Sequence, residues 1–327
     1  MTTKTMKAVV IREPGAPEVL AIEELPVPQP PLGSVLIRVK AFGLNRSELF
    51  TRQGLSPSVR FPRVLGIEAV GIVEEAPGGE FDPGQTVATA MGGMGRQFDG
   101  GYAEYTCVPA VQVQAINTTL DWQTFGALPE MIQTAWGSLN SALQLQPGQS
   151  LLIRGGTTSV GLAAAVLAKQ QGATVAATSR IAHRETMLKD NGADHVFIDN
   201  GEIADDVRRV FPDGVDKVLE LVGTTTLLDS LRCAARFGSV CMTGIVGNAW
   251  ELEQFSPMGA IPHTVNLTTY SGGSRDFIDT PLQTVVNEVE AKRLVPKIGR
   301  VFQLDDIVEA HRCMEDNAAG GKIVVLT

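Results

Sequence analysis

The chain has 327 residues, 44% of them apolar and 19% charged, with a formal net charge of −9. That length holds two domains with cores of their own, and the acidic balance argues against nucleic acid as the main partner. No segment is apolar for long enough to span a bilayer, and Cys107, Cys233, Cys241 and Cys313 are too scattered for a disulfide framework or a zinc knuckle.

The opening, MTTKTMKAVVIREPG, passes straight into a strand-like pattern without the apolar core of a signal peptide, so a reducing cytoplasm is the expected setting. From 1 to 117, short β-patterned runs such as KAVVIRE, SVLIRVKAFGLN and AVGIVEEAP alternate with Pro and Gly, predicting a compact β-rich barrel or sandwich. From 118 to 272 helix and strand alternate. Helices are predicted at 122–143, 160–171, 204–210 and 226–234. Strands are predicted at 151–153, 174–178, 195–198, 216–221 and 239–243, with one more in VNLTTYSGG. That repetition predicts a doubly wound parallel sheet. The tail, 273–327, carries a helix over 280–292 and ends in a strand at 322–326; it is too short to fold alone and is expected to complete the N-terminal domain.

The most informative stretch is SLLIRGGTTSVGLAAAVLAKQQGATVAATSR, 150–180. It reads as strand, glycine turn, helix and second strand, with Gly155, Gly156 and Gly161 around the turn. Such a unit places backbone N–H groups and a helix N-terminus where a dinucleotide pyrophosphate sits. The spacing departs from a strict G-x-G-x-x-G, because Ser159 stands where a glycine is expected. A reader of a ribose 2′-hydroxyl would be an Asp or Glu at the end of the second strand. This chain has Ser179 and Arg180 there, which suit a 2′-phosphate and predict NADPH.

KAFGLNRSEL, LGIEAVG, GGYAEY, LPEMIQTAWGSL, IRGGTTSVG and GGKIVVL occur in an order that resembles the medium-chain dehydrogenase/reductase superfamily, most closely its zinc-free quinone oxidoreductase branch. The resemblance covers essentially the whole chain. It implies a discontinuous GroES-like catalytic domain around a Rossmann domain, with the active site in the cleft between them. Zinc-dependent relatives place Cys where this chain has Asn45, His where it has Ile67, and a third ligand near Glu130, so no zinc is expected. The four histidines, His183, His195, His263 and His311, are far apart and read as surface or loop residues.

The same resemblance implies a role for Asn45 beside the nicotinamide ribose or the substrate oxygen; read alone, Asn45 is a turn residue. Where relatives continue with Asp and Tyr, this chain has Glu48 and Phe50, which removes a phenol. Arg52 reads equally as the family's basic residue or as a solvated loop arginine. Thr134 matches the helix threonine near the nicotinamide, and alone reads as a helix hydroxyl bonding its own backbone. Glu130 reads as an acid at a helix start. Ser159 and Val160 are implied at the pyrophosphate turn, and Val222, Gly223, Gly244 and Ile245 at strand ends facing the cofactor. Lys322 reads either as a contact to the cofactor or as a solvated strand-start lysine. Phe50, Met91, Met94, Trp136 and Phe255 are candidates for an apolar pocket. The expected function is zinc-independent, NADPH-dependent hydride transfer to quinones or related conjugated carbonyls. An enoyl or alkenal double-bond reductase and a non-catalytic NADPH-binding sensor or adaptor are the alternatives. A homodimer paired through the VNLTTYSGG strand is expected.

Overall fold

The computed structural model describes residues 4–327, which divide into two compact units: the residues up to Gln133 with Gly272–Thr327, and Thr134–Ser271. The first unit opens with β1 (Thr5–Ile11), β2 (Leu20–Pro26), β3 (Ser34–Gly43), α1 (Arg46–Arg52), β4 (Arg63–Val64), β5 (Glu68–Glu75), β6 (Thr86–Ala90), β7 (Tyr105–Pro109), β8 (Val113–Ala115) and α2 (Trp122–Gly126). Helix α3 (Pro129–Gly137) contains the point of division. The second unit runs β9 (Ser150–Arg154), α4 (Ser159–Gln170), β10 (Thr174–Ser179), α5 (Glu185–Asp190), β11 (His195–Ile198), α6 (Ala204–Val210), β12 (Val215–Glu220), α7 (Thr224–Cys233), β13 (Ala234–Met242), α8 (Pro257–Ala260) and β14 (Asn266–Thr269). The chain then returns to the first unit as α9 (Ser274–Asp279), α10 (Leu282–Glu290), β15 (Ile298–Gln303), α11 (Ile307–Glu315) and β16 (Lys322–Leu326).

In the first unit β3 is the spine. Along one edge it pairs antiparallel with β5; along the other, its first half pairs with β7 and its last residues with β16. The C-terminal strand thus joins the N-terminal sheet beside the chain corner at Gly43–Asn45 (Leu44 N–H to Ile323 O, 3.0 Å).

The second unit is a six-stranded parallel sheet in the order β11-β10-β9-β12-β13-β14. Counted from β9, this is the 3-2-1-4-5-6 order of doubly wound dinucleotide-binding sheets, whose chain reversal opens a crevice at the strand carboxyl ends. Leu151, Leu152 and Ile153 are fully buried, as a central parallel strand requires.

Two boundaries differ from the sequence reading. Residues 118–133 pack with the first unit: Thr118 and Thr119 donate their hydroxyls to Glu290 (2.8 and 3.2 Å), and Gln133 Nε2 donates to Gly273 O (2.9 Å). The helix expected over 122–143 is broken into α2, α3 and a π-type turn at Ser138–Ala142. Pro129 causes the first break, since its ring disfavours helical backbone at Leu128 while suiting the first position of a new helix.

Candidate cofactor site and candidate active site

In the second unit the glycine turn leaves β9 through Gly155, whose φ of +83° lies in the left-handed region. Gly155 O accepts from Thr158 N (3.1 Å) and Thr158 Oγ1 (2.9 Å), and Thr158 Oγ1 accepts from Gly161 N (2.9 Å), capping α4. Gly156 is required by packing, because a Cβ there would stand 2.9 Å from the Cβ of Ala177 on β10. Ser159 and Val160, half-buried, are the first two residues of α4, where the helix dipole and backbone amides favour an anion.

Ser179 closes β10 with its hydroxyl engaged locally, accepting from Ile181 N (3.0 Å) and donating to Ile181 O (2.9 Å). Arg180, next along, is exposed. Farther on, Lys189 pairs with Glu185 (2.7 Å) and Arg184 is half-exposed. At the end of β12, Val222 N and Gly223 N donate to Glu220 Oε1 (2.7 and 2.9 Å), so these amides are turned toward a buried carboxylate. The turns after β12 and β13 meet: a Cβ on Gly223 would stand 3.1 Å from Gly244 O and 3.2 Å from Ile245 Cα. Thr134 is bound through its carbonyl, which accepts from Ser138 Oγ (2.7 Å).

A buried charged row beneath this turn was not read from the sequence. Arg154, 0% exposed, forms a two-pronged pair with Asp199 (Nε–Oδ2 2.9 Å, Nη2–Oδ1 2.8 Å) and a third bond to Asp229 Oδ2 (2.6 Å). Burial works against its charge, but Asp199 and Asp229 outweigh it and hold the guanidinium above its ordinary pKa. Burial likewise opposes the Asp199 carboxylate, and Arg154 reverses this, leaving its pKa below normal. Glu220 accepts from Thr226 Oγ1 (3.0 Å) and Ser230 Oγ, and burial raises its pKa. The available signal was a run of polar residues ending apolar strands: Arg154, Thr178, Asp199 and Glu220.

In the first unit the chain corner holds a second buried cluster. Asn45 precedes α1 and is 9% exposed. Its Nδ2 donates to Glu68 Oε1 (2.9 Å) and, at a longer 3.3 Å, to Glu48 Oε1; its Oδ1 accepts from Lys322 Nζ (2.5 Å). Lys322 Nζ also donates to Glu68 Oε1 (2.8 Å) and lies 3.7 Å from Glu130 Oε2. Glu68 Oε2 accepts from Glu130 N (2.8 Å) at the start of α3. Glu48 accepts from Ile67 N (3.0 Å) and Asn45 N (3.1 Å). Gly43 makes room for all of this, since a Cβ there would stand 2.3 Å from Lys322 Cε and 2.4 Å from Glu68 Oε1.

One ammonium thus faces three carboxyl groups. Burial, with the neighbouring Glu68 charge adding to it, pushes the Glu48 carboxyl up to about 7 against the pull of the Ile67 amide and Lys322. Burial would lower the Lys322 pKa, but Glu68 and Glu130 reverse that and raise it. Among the described residues, no group of three or more His, Cys, Asp and Glu side chains is arranged to hold a metal ion.

A family model described as the alcohol dehydrogenase GroES-like domain matches residues 31–118, and one described as zinc-binding dehydrogenase matches residues 191–325. The quinone oxidoreductase of Pongo abelii is 28% identical over 331 residues, covering 99% of this chain and 98% of its own. A solved mycobacterial protein complexed with NADPH is 26% identical with a TM-score of 0.87, covering 98% of this chain and 100% of that one. An NAD-dependent alcohol dehydrogenase is 27% identical with a TM-score of 0.88 over the same shares. The chain belongs to the medium-chain dehydrogenase/reductase superfamily. Within it the chain stands in the quinone oxidoreductase branch and is an NAD(P)-dependent oxidoreductase, with a GroES-like first unit and a Rossmann second unit.

For this member of the superfamily, several expectations need correction. Lys322 is not a solvated strand-start lysine: it is 2% exposed and held by Asn45 and Glu68. Arg52 is neither solvated nor in a loop. It closes α1 fully buried, paired with Glu315 (2.6 Å) and donating to Gly15 O (2.5 Å). His311 is fully buried in α11, its Nε2 3.1 Å from the Tyr102 hydroxyl, and burial together with the Arg52 charge takes its pKa down to about 3. Phe50 and Met94, 7% and 0% exposed, belong to the core of the first unit rather than to a pocket wall.

Proposed function

We propose that the chain is a zinc-independent reductase that uses NADPH to deliver hydride to quinones or related conjugated carbonyl acceptors. The observation that carries this reading is the Lys322 ammonium held by Asn45 and Glu68, with Glu130 alongside. By the resemblance, Asn45 and Ile67 stand where zinc-dependent relatives place metal ligands and Glu130 lies near the third such position; Ile67 offers only a backbone amide, which donates to Glu48. On this reading the buried Lys322 ammonium supplies the positive charge that a metal ion supplies in those relatives. Curated relatives similar to this chain, quinone oxidoreductases matching 99% of it, support the acceptor class.

When bound, the nicotinamide cofactor supplies the hydride. The amides of Ser159 and Val160 at the α4 N-terminus would hold its pyrophosphate, and Arg180 its 2′-phosphate. The room for such a group is prepared by Gly156, which brings backbone close to β10, and by Gly155, which brings it close to the end of β12 at Leu221 and Val222. The turns at Gly223 and Gly244–Ile245 close the strand ends on the other side of the chain reversal.

Asn45 serves this chemistry from within the cluster. With its amide donating to Glu68 and its carbonyl accepting from Lys322, it fixes the ammonium and Glu68, whose other oxygen accepts from Glu130 N at the start of α3, rather than standing as a free donor. Quinone and enone acceptors both gain negative charge on oxygen, which a preorganised positive site stabilises.

The protein is further proposed to be a cytoplasmic homodimer. Strand β14 ends the Rossmann sheet with Asn266 and Thr269 exposed, an edge that pairing across a two-fold axis would cover. No helix among the described residues is long and apolar enough to cross a membrane.

Steady-state oxidation of NADPH with a panel of quinones, enones and aldehydes, alongside elemental analysis, tests the reading. Turnover of quinones that survives chelation in zinc-free protein is the expected result. Activity with simple aldehydes alone, or one zinc per chain lost together with activity, overturns it. Light scattering that gives a monomer mass at micromolar concentration removes the dimer.

A further inference from the structure

The charged row of the Rossmann unit runs across the carboxyl edge of the sheet. In the strand order β11-β10-β9-β12, each strand contributes a residue at its end: Asp199 immediately after β11, Thr178 in β10, Arg154 closing β9 and Glu220 closing β12. Arg154 and Glu220 are register partners on adjacent strands. Helix α7 supplies Asp229, Ser230 and Thr226, and every nitrogen of the guanidinium is used, including a bond to Gly201 O (2.8 Å).

One member of this row touches the glycine turn. Thr178 Oγ1 accepts the N–H of Gly155 (3.0 Å) and donates to Asp199 Oδ2 (3.3 Å), which Arg154 holds in two-pronged contact. The carbonyl of Gly155 is fixed from the other side by Thr158, the α4 cap. Both polar groups of Gly155 are therefore committed, one to the strand row and one to the helix. A left-handed glycine has little else to restrict its backbone.

We infer that Thr178, anchored by Asp199 and Arg154, is a positioning residue for the cofactor's pyrophosphate: it sets the direction of the turn whose amides receive that group. The inference rests on the reading that the dinucleotide binds at this turn. It extends that reading to a residue which itself touches no part of the ligand. Valine in place of Thr178 keeps shape and strand propensity while removing the hydroxyl, leaving a buried N–H without its acceptor.

Affinities of NADPH and of adenosine 2′-monophosphate, which carries the 2′-phosphate but no pyrophosphate, are measured by titration calorimetry on the full chain and on Thr178→Val and Thr178→Ser. Thr178→Val is expected to weaken NADPH about five- to ten-fold while adenosine 2′-monophosphate stays within about two-fold, and Thr178→Ser to match the parent. Equal losses for both ligands would mean a general loosening and overturn the inference, as would NADPH binding unchanged by valine or serine as weak as valine. If Thr178→Val does not fold, Thr178→Ala is measured against the same criteria. Failure of the unmodified protein to bind NADPH would instead overturn the cofactor reading on which the inference stands.

Discussion

Each unit of this molecule buries one cation among acids, and the two do it differently. In the Rossmann unit Arg154 uses a planar fork that matches Asp199 on two prongs and reaches Asp229 with a third nitrogen. Its acid partners are themselves tied to backbone: Asp229 accepts from Ile203 N (2.8 Å), Asp199 from Gly201 N (2.9 Å), and Glu220, beside them, from Val222 N and Gly223 N. In the GroES-like unit Lys322 is a point charge among Asn45, Glu68 and Glu130, with Glu48 beyond them carrying a pKa near 7. In the first arrangement Arg154 and Asp199 are held in their charged forms. The second also binds main chain, at Asn45, Ile67 and Glu130, but its proton count changes near neutrality. A buried arginine row makes a frame; a buried lysine with surplus carboxylates makes a site that titrates.

The largest effect expected from this contrast is on stability. Arg154→Leu leaves Asp199 and Asp229 buried without their cation and is expected to cost about 3–5 kcal/mol in urea unfolding. Lys322→Met should cost less than Arg154→Leu at pH 7, because Glu48 takes up a proton there and reduces the uncompensated charge. The reverse order would break the comparison.

A sharper test follows the sign of the Glu48 shift. Its folded pKa of about 7 lies above the ordinary 4.5, so the contribution is fully present below pH 4.5 and is lost as pH rises through 7. Glu48→Gln should remove a fall in stability on the order of 3 kcal/mol across that window. His311 works in the opposite sense. Folded near 3 against an ordinary 6.5, it gives stability that is present above pH 6.5 and lost as pH falls toward 3. Equilibrium unfolding from pH 4 to 8 in parent and Glu48→Gln proteins separates the two slopes; an unchanged alkaline limb would show that Glu48 is ionised throughout.

At the ligand, Arg180→Ala is expected to cost about 1.5–3 kcal/mol of NADPH affinity, roughly ten-fold or more, with NADH little changed. Equal binding of both cofactors by the parent would end the 2′-phosphate assignment. The smallest effect is expected at Asn45. Asn45→Ala loosens Lys322 without removing its charge, so kcat/KM should fall about ten-fold while NADPH affinity is kept. Parent-like turnover would leave Asn45 as a turn residue alone.

What the sequence could and could not show follows from distance along the chain. The Rossmann strands were legible because a run such as Leu151–Leu152–Ile153 carries its burial in its composition. The turn after it was legible because glycines mark tight backbone. The break at Pro129 was also written in the sequence, but the apolar run on both sides of it reads as continuous. The two clusters were not legible as units. Lys322 and Asn45 stand 277 positions apart, and Arg154 gathers Asp199 and Asp229 from 45 and 75 positions away. Alone, Lys322 reads as a solvated strand-start lysine, Asn45 as a turn residue and Glu130 as an acid at a helix start. His311 escaped for the same reason, since its partner Tyr102 lies 209 positions earlier.

The Arg154 row has a consequence for how this protein can change. Its charged members interlock, so losing Arg154, Asp199 or Asp229 leaves a buried charge without its partner, and drift at those three positions is confined to coordinated exchanges. Arg180 stands outside it, exposed and absent from every bond of the network. On the proposed reading of Arg180, preference for one dinucleotide over the other can be retuned at the surface by single steps that leave this network untouched.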